Sequence, residues 1–316
     1  MTGLLLLTLR ELRARKVVVG LFVVATAAWL ALALALQLDV VDGSLAGVRI
    51  FGVEDRVDAP PAVDAGAAAG DSAAWMAARS GGPPFGANPL EQLVFGAQAF
   101  VAGAAYWLGI LLCLFATGGL VAGLVEPGQA DLLASKPLSR SALLAGRLAG
   151  VGAVTFVLVA YLLGAVWLVM SVKTGVWNPR FLLAIGAVWA MFAVLYGVVT
   201  LVSVWSGSGP LALVVTLGLV FTTLILAIPN LTLSVDASIR PVVEALRLGL
   251  PRFATVGAGL VPHLAAGVNL ATLAQETGAQ PGAPSLVADT VPLATSLLFG
   301  AACYGGAFYL FNRRDF

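Results

Sequence analysis

The sequence predicts an all-α integral membrane protein with six transmembrane helices, and three observations carry that reading. The 316-residue chain is 60% hydrophobic and 10% charged, where a soluble domain has about 25% charged residues. Its mean hydropathy is +0.98. Six apolar runs are long enough to cross a hydrocarbon layer of about 30 Å at about 1.5 Å per residue. That layer offers no water to backbone groups, so each run closes its own hydrogen bonds as a helix.

The first span is read over residues 17–38, behind the basic stretch TLRELRARK. This apolar run of 22 residues exceeds the roughly 7–15 of a signal-peptide core, so it reads as an uncleaved span. The second runs over 98–125, and apolar sequence beginning near Leu93 makes it enter tilted or along the interface. Spans three to six follow at 148–172, 181–205, 211–228 and 290–312, giving one transmembrane domain over 1–316.

Two long loops separate these runs. Residues 39–92 are rich in Ala, Gly, Pro and Asp (DAPPAVDAGAAAGD) and read as a flexible segment. In the 230–289 loop, SIRPVVEALRLGL sets Ile239, Val242, Val243 and Leu246 on one helical face, with Arg240, Glu244 and Arg247 off it. Such a helix suits the membrane surface. The next stretch, TVGAGLVPHLAAGVNLATL, has Pro262 and His263 at its centre, where a polar side chain is costly. A seventh span there would place Arg313 and Arg314 outside. A re-entrant or interfacial helical segment is expected instead.

Orientation follows from the basic residues. The side holding both termini and residues 126–147 and 206–210 carries nine Lys and Arg against four acids. The other side has eight against twelve over more than twice the length. Both termini therefore face the cytoplasm, and the chain is expected in the plasma (cytoplasmic, or cell inner) membrane as a multi-pass protein.

Absences remove several chemistries. There is no Gly-x-x-x-x-Gly-Lys-[Ser/Thr] phosphate loop and only one histidine, so neither nucleotide hydrolysis nor a zinc protease is expected on this chain. No metal site is expected. Ser206-Gly-Ser-Gly comes near an intramembrane serine-protease motif, but position 206 is Ser where that motif has Gly. A Ser208–His263 dyad would have to bridge opposite membrane faces. Cys113 and Cys303 lie in apolar runs and read as buried thiols. A net charge of +1 excludes a broad nucleic-acid surface.

No Asp, Glu, Lys, Arg or His falls inside the six spans, which argues against a proton-coupled carrier. The spans do carry hydroxyls, at Thr26, Tyr106, Thr117, Thr155, Tyr161, Tyr196, Thr200, Ser203, Thr222 and Thr223. Most should bond their own helix backbone or packing neighbours. The rest could line a weakly polar path for an amphipathic substrate.

The polar stretch EPGQADLLASKPLSR, residues 126–140, lies between spans two and three. Pro127 suits a first helical position, Asp131 favours the first turn, and Lys136 with Pro137 ends the helix. Ser139 then caps the next helix, with Arg147 one to two turns in, near the headgroups. A short helix with the exposed pair Leu132-Leu133 suits a groove on another protein. Gly119-x-x-x-Gly123 and Gly146-x-x-x-Gly150 flank it, so spans two and three can pack closely there.

This loop resembles that of the ABC-2 type permeases, the membrane subunits of ATP-driven exporters. Their pattern of Glu, Gly, a Leu pair, Pro and Arg matches Glu126, Gly128, Leu132, Leu133, Pro137 and Arg140. Gln129 departs from it, standing where that family usually has Thr or Ser. The layout is also similar at the amphipathic opening with Arg10, Arg13, Arg15 and Lys16, which implies an N-terminal interfacial helix, and at the terminal FNRRDF. The resemblance implies that residues 126–140 form a coupling helix, Asp131 included, seated in a separate ATPase. Two ATPase copies would carry ATP and Mg, with no cofactor on this chain. A second permease copy, or a related permease, would complete the path in membrane lipid. The alternative is a non-transporting membrane scaffold or assembly factor with the same architecture.

Overall fold

The computed structural model describes residues 16–41, 44–50, 53–55, 89–124, 139–228, 240–264 and 286–313. Helix α1, Lys16–Ala35, is followed by three short strands, β1 (Leu36–Val41), β2 (Ser44–Ile50) and β3 (Val53–Asp55). A long helix follows in pieces: α2 (Pro89–Ala104), one π-helical turn (Ala105–Gly109), α3 (Ile110–Thr117) and α4 (Gly119–Ala122). Then come α5 (Arg140–Thr174), a 3-10 turn (Pro179–Leu182), α6 (Leu183–Ser206), α7 (Gly209–Leu226), α8 (Arg240–Gly249), α9 (Phe253–Leu264) and α10 (Leu286–Arg313).

Among the described residues the long apolar runs are helical, apart from the strand that follows α1. Five helices among the described residues are long and apolar enough to cross a membrane: Val94–Ala122, Arg140–Thr174, Pro179–Ser206, Gly209–Leu226 and Val291–Arg313. Helix α1, 20 residues and apolar, measures about 30 Å at 1.5 Å per residue. It ends at Ala35 rather than Leu38. From there Leu36, Leu38 and Val40 alternate with Gln37 and Asp39, a period of two that suits a strand. β1 pairs antiparallel with β2, Leu36 opposite Ile50, through a bulge at Asp39/Val40, and β2 pairs with β3. The flexible-segment reading of 39–92 is thus corrected over 39–41, 44–50 and 53–55, and over 89–92, where α2 begins.

Helix α6 is the hub. Its buried Met191, Phe192, Leu195, Tyr196, Val199 and Thr200 meet neighbours on several sides, and α10 and α7 pack along it. Close approach to α10 depends on glycine. A Cβ placed on Gly197 would lie 3.2 Å from the Gly300 carbonyl oxygen, and one on Gly300 would lie 3.1 Å from Val194 Cα. Helix α5 begins eight residues before the predicted span, at Arg140. As expected, Ser139 caps it, its hydroxyl accepting from Ala142 N. It ends where Gly175, at φ 72°, donates its N–H to Ser171 O at 2.9 Å.

Helix α1 rests on α5. Tyr161 Oη lies 3.0 Å from Thr26 Oγ1 and accepts from Trp29 Nε1 at 3.1 Å. Lys173, near the far end of α5, donates to the Ala33 carbonyl. Helix α8 carries the predicted amphipathic pattern, with Val242 55% and Leu246 44% exposed, so this apolar face is not consumed by the rest of the described chain.

Candidate functional site

The polar loop between α4 and α5 was the strongest functional signal in the sequence. Glu126, Gly128, Asp131, Leu132, Leu133 and Pro137 lie outside the described residues, as do Arg10, Arg13 and Arg15 and the side chain of Lys16. Arg140 is described and exposed, at the first position of α5. What the structure does describe is the pair of helix ends that hold the loop.

Those ends are joined by Arg147. It is only 6% exposed, and its Nε and Nη2 donate to the Leu120 carbonyl oxygen at 3.2 and 3.1 Å. The guanidinium is thus packed within the protein, on the end of a neighbouring helix. Leu120 is among the last residues of α4, where carbonyls lack intrahelical donors. The amide one turn on, Leu124 N, turns to Val121 O instead, at 3.0 Å. A guanidinium is suited to that end both as a fork of donors and as a cation at the negative pole of the helix. Sequence reasoning saw a basic residue entering a span. The sequence held no sign that α4 ends opposite it.

Glycine packing here is shared with a third helix. Gly146 and Gly150 are buried on α5, and α4 touches α5. The tight contact at the start of α4 is with α7, however. A Cβ on Gly209 would lie 3.0 Å from Gly119 Cα, and one on Gly118 would lie 2.6 Å from Leu213 Cδ2. The turn that brings α7 here is ordered. Gly207 takes φ 70°, Ser206 Oγ donates to Val202 O, and Ser208 Oγ accepts from Leu211 N at 3.4 Å. Ser208, the nucleophile of the protease reading, is spent as a helix cap.

A second feature lies deeper. An open groove of about 530 Å³ runs between α5, α6 and α10, with Gly152, Phe156, Trp189, Phe192, Tyr196 and Tyr304 among its lining residues. Its size falls within the range of small-molecule pockets. The polar tips of these rings point to backbone. Trp189 Nε1 donates to Gly152 O at 2.9 Å, Tyr304 Oη to Ala193 O at 2.7 Å and Tyr196 Oη to Thr117 O at 3.5 Å. The groove therefore presents aromatic faces and aliphatic carbon. Phe156 and Trp189 meet edge to face at 5.7 Å, and Phe192 stacks on Tyr196 at 5.5 Å.

The intramembrane hydroxyls resolve in favour of the plain reading. Thr117, Thr155, Thr200, Thr222 and Thr223 each donate to a carbonyl three or four residues back. Ser203 Oγ is buried without a partner among the described residues. One polar pair went unforeseen. Asn178 Nδ2 donates to Gln98 Oε1 at 3.0 Å, both residues buried, and Trp167 Nε1 donates to Asn178 O.

The third feature is the π-helical turn. Tyr106 and Trp107 clasp Phe253 at the start of α9. Tyr106 stacks on it at 4.9 Å, Trp107 meets it edge-on at 5.0 Å, and Tyr106 Oη donates to Phe253 O at 2.6 Å. The extra residue of a π turn re-aims side chains on one helix. Here it turns two rings towards a 12-residue helix of about 18 Å, too short to span. Among the described residues no group of His, Cys, Asp and Glu could hold a metal ion. Comparison with known proteins adds no assignment, because no family model, no curated protein and no solved structure matches this chain.

Proposed function

We propose that this chain is the ABC-2 type permease subunit of an ATP-driven exporter. Its path would form with a second permease copy, and separate ATPase subunits would drive it. The observation that carries the reading is the loop pattern Glu126, Gly128, Leu132, Leu133, Pro137 and Arg140, set between two long apolar helices. The sequence supplies no phosphate loop of its own, so energy would come from a partner.

The Arg147 bond to Leu120 supports a way of using that energy. A push on residues 126–140 by closing ATPases would reach α4 and α5 together, because those helix ends are fastened to each other. The contact of Gly118 and Gly119 with α7 would pass the motion to a third helix. In this reading α1 is the first of six spans, both termini and residues 126–147 are cytoplasmic, and α9 is a re-entrant or interfacial segment held by the π turn. The groove beside Trp189 and Phe156 offers apolar faces, which favours a substrate with a hydrophobic part.

The test is reconstitution in liposomes with candidate ATPase subunits. The chain alone should bind and hydrolyse no ATP, and ATPase addition should give a stable complex. A preparation that turns over ATP after every partner ATPase has been removed would overturn the reading.

A further inference from the structure

A small cavity of about 50 Å³ lies where the end of α7 meets the turn between α8 and α9. Thr223 and Ala227 line it from α7, Arg247 from α8, Arg252 from the turn, and Ala254 and Thr255 from the first turn of α9. A single water needs about 10–15 Å³ of such volume. The space therefore admits a group of a few heavy atoms, the size of a tetrahedral oxyanion.

Its charge is one-sided. Among the described residues two arginines line the cavity and no Asp or Glu does. The carboxylate of α8, Glu244, lies 4.0 Å from Arg240 Nε. Arg252 Nε is buried and has no acceptor among the described residues. A buried guanidinium N–H without an acceptor is costly, and a phosphate oxygen is a geometrically matched partner for it. Backbone order holds Arg252 in place. Its N–H donates to Ser296 Oγ at 2.9 Å, and that hydroxyl donates to Pro292 O at 2.7 Å. Ala254 and Thr255 add first-turn amides that have no acceptor within their own helix.

We propose that this cavity binds a phosphate group through Arg247 and Arg252. The exposed Val242 and Leu246 on α8 put the same surface against lipid. An anionic phospholipid headgroup and a free phosphate share the required chemistry. The site stands apart from the exporter reading, since it needs only that α7 ends at a membrane boundary.

The experiment uses the full chain in nanodiscs of phosphatidylcholine with and without phosphatidylglycerol, and in detergent with inorganic phosphate against chloride at equal ionic strength. Bound lipid is counted by native mass spectrometry, and stabilisation is read by melting temperature. Arg247→Gln and Arg252→Gln should each lower binding about tenfold, the loss of one charge-assisted hydrogen bond. Arg240→Gln, on the same helix but outside the cavity, should leave it unchanged. Arg247 is exposed, so its variant tests the site even if Arg252→Gln misfolds. Retention of phosphatidylglycerol alone identifies the source as a headgroup; stabilisation by inorganic phosphate as well identifies a small-anion site. No preference for either, or an equal loss in Arg240→Gln, overturns the proposal.

Discussion

Arg147→Met tests whether the two helix ends flanking the polar loop are mechanically joined. Methionine keeps an unbranched apolar stem of similar reach and removes the donors that meet Leu120 O at 3.2 and 3.1 Å. A hydrogen bond to a charged group is worth about 1.5–3 kcal/mol. The cation at a helix C-terminus adds about 0.3–1 kcal/mol. Release of a buried guanidinium from its desolvation opposes both, so the expected net loss is about 2 kcal/mol. At about 1.4 kcal/mol per tenfold, local opening at the end of α4 should rise more than tenfold. The assay is hydrogen–deuterium exchange in detergent. Faster exchange is expected at Gly123 and Leu124, whose amides bond to Gly119 O and Val121 O, and little change is expected in the middle of α6. Arg147→Lys keeps a cation there and should recover part of the protection. Unchanged exchange at Gly123 and Leu124 in a folded Arg147→Met protein would refute the clamp.

Two further outcomes follow from the geometry. Gly257→Ala should lower the melting temperature by an overpacking cost of about 1–3 kcal/mol, because the new Cβ would sit 2.6 Å from a Tyr106 ring carbon. Gly249→Ala, with nothing within 4 Å, should be neutral or slightly stabilising. For orientation, single cysteines at Ser80 and Gln280 should react with an impermeant thiol reagent on intact cells, and one at Ser139 should not. The native Cys113 and Cys303 are buried and will not interfere. Labelling of the Ser139 site, or protection of the other two, would reverse the topology.

The apolar runs were legible because a spanning helix must be long and oily, and the five helices that qualify match predicted spans two to six. The cap at Ser139 was legible because capping is local chemistry. The π turn at Ala105–Gly109 was not. It is selected by the docking of Tyr106 and Trp107 on Phe253, almost 150 residues away in sequence, and leaves no local signature. The partner of Arg147 was hidden for a similar reason: its acceptor, Leu120 O, lies on another helix, 27 residues away in sequence. The alternation in Leu36–Val41 was present in the sequence, but it followed an apolar run and was absorbed into the first span. The aromatic groove gave no signal, since rings spaced along three oily helices read as ordinary packing until the helices are assembled.

The central claim, that residues 126–140 seat in an ATPase, is tested most directly by Leu132→Asp with Leu133→Asp and a pull-down of the co-expressed ATPase. Burying each leucine in a partner groove contributes roughly 1.5–3 kcal/mol. Losing both should weaken the contact by on the order of a hundredfold or more. On a merely solvated loop the same change would alter stability by no more than about half a kcal/mol. The account predicts that the double variant reaches the membrane at normal level, keeps its detergent melting temperature and loses the ATPase. Full retention of the ATPase by a folded double variant would contradict it.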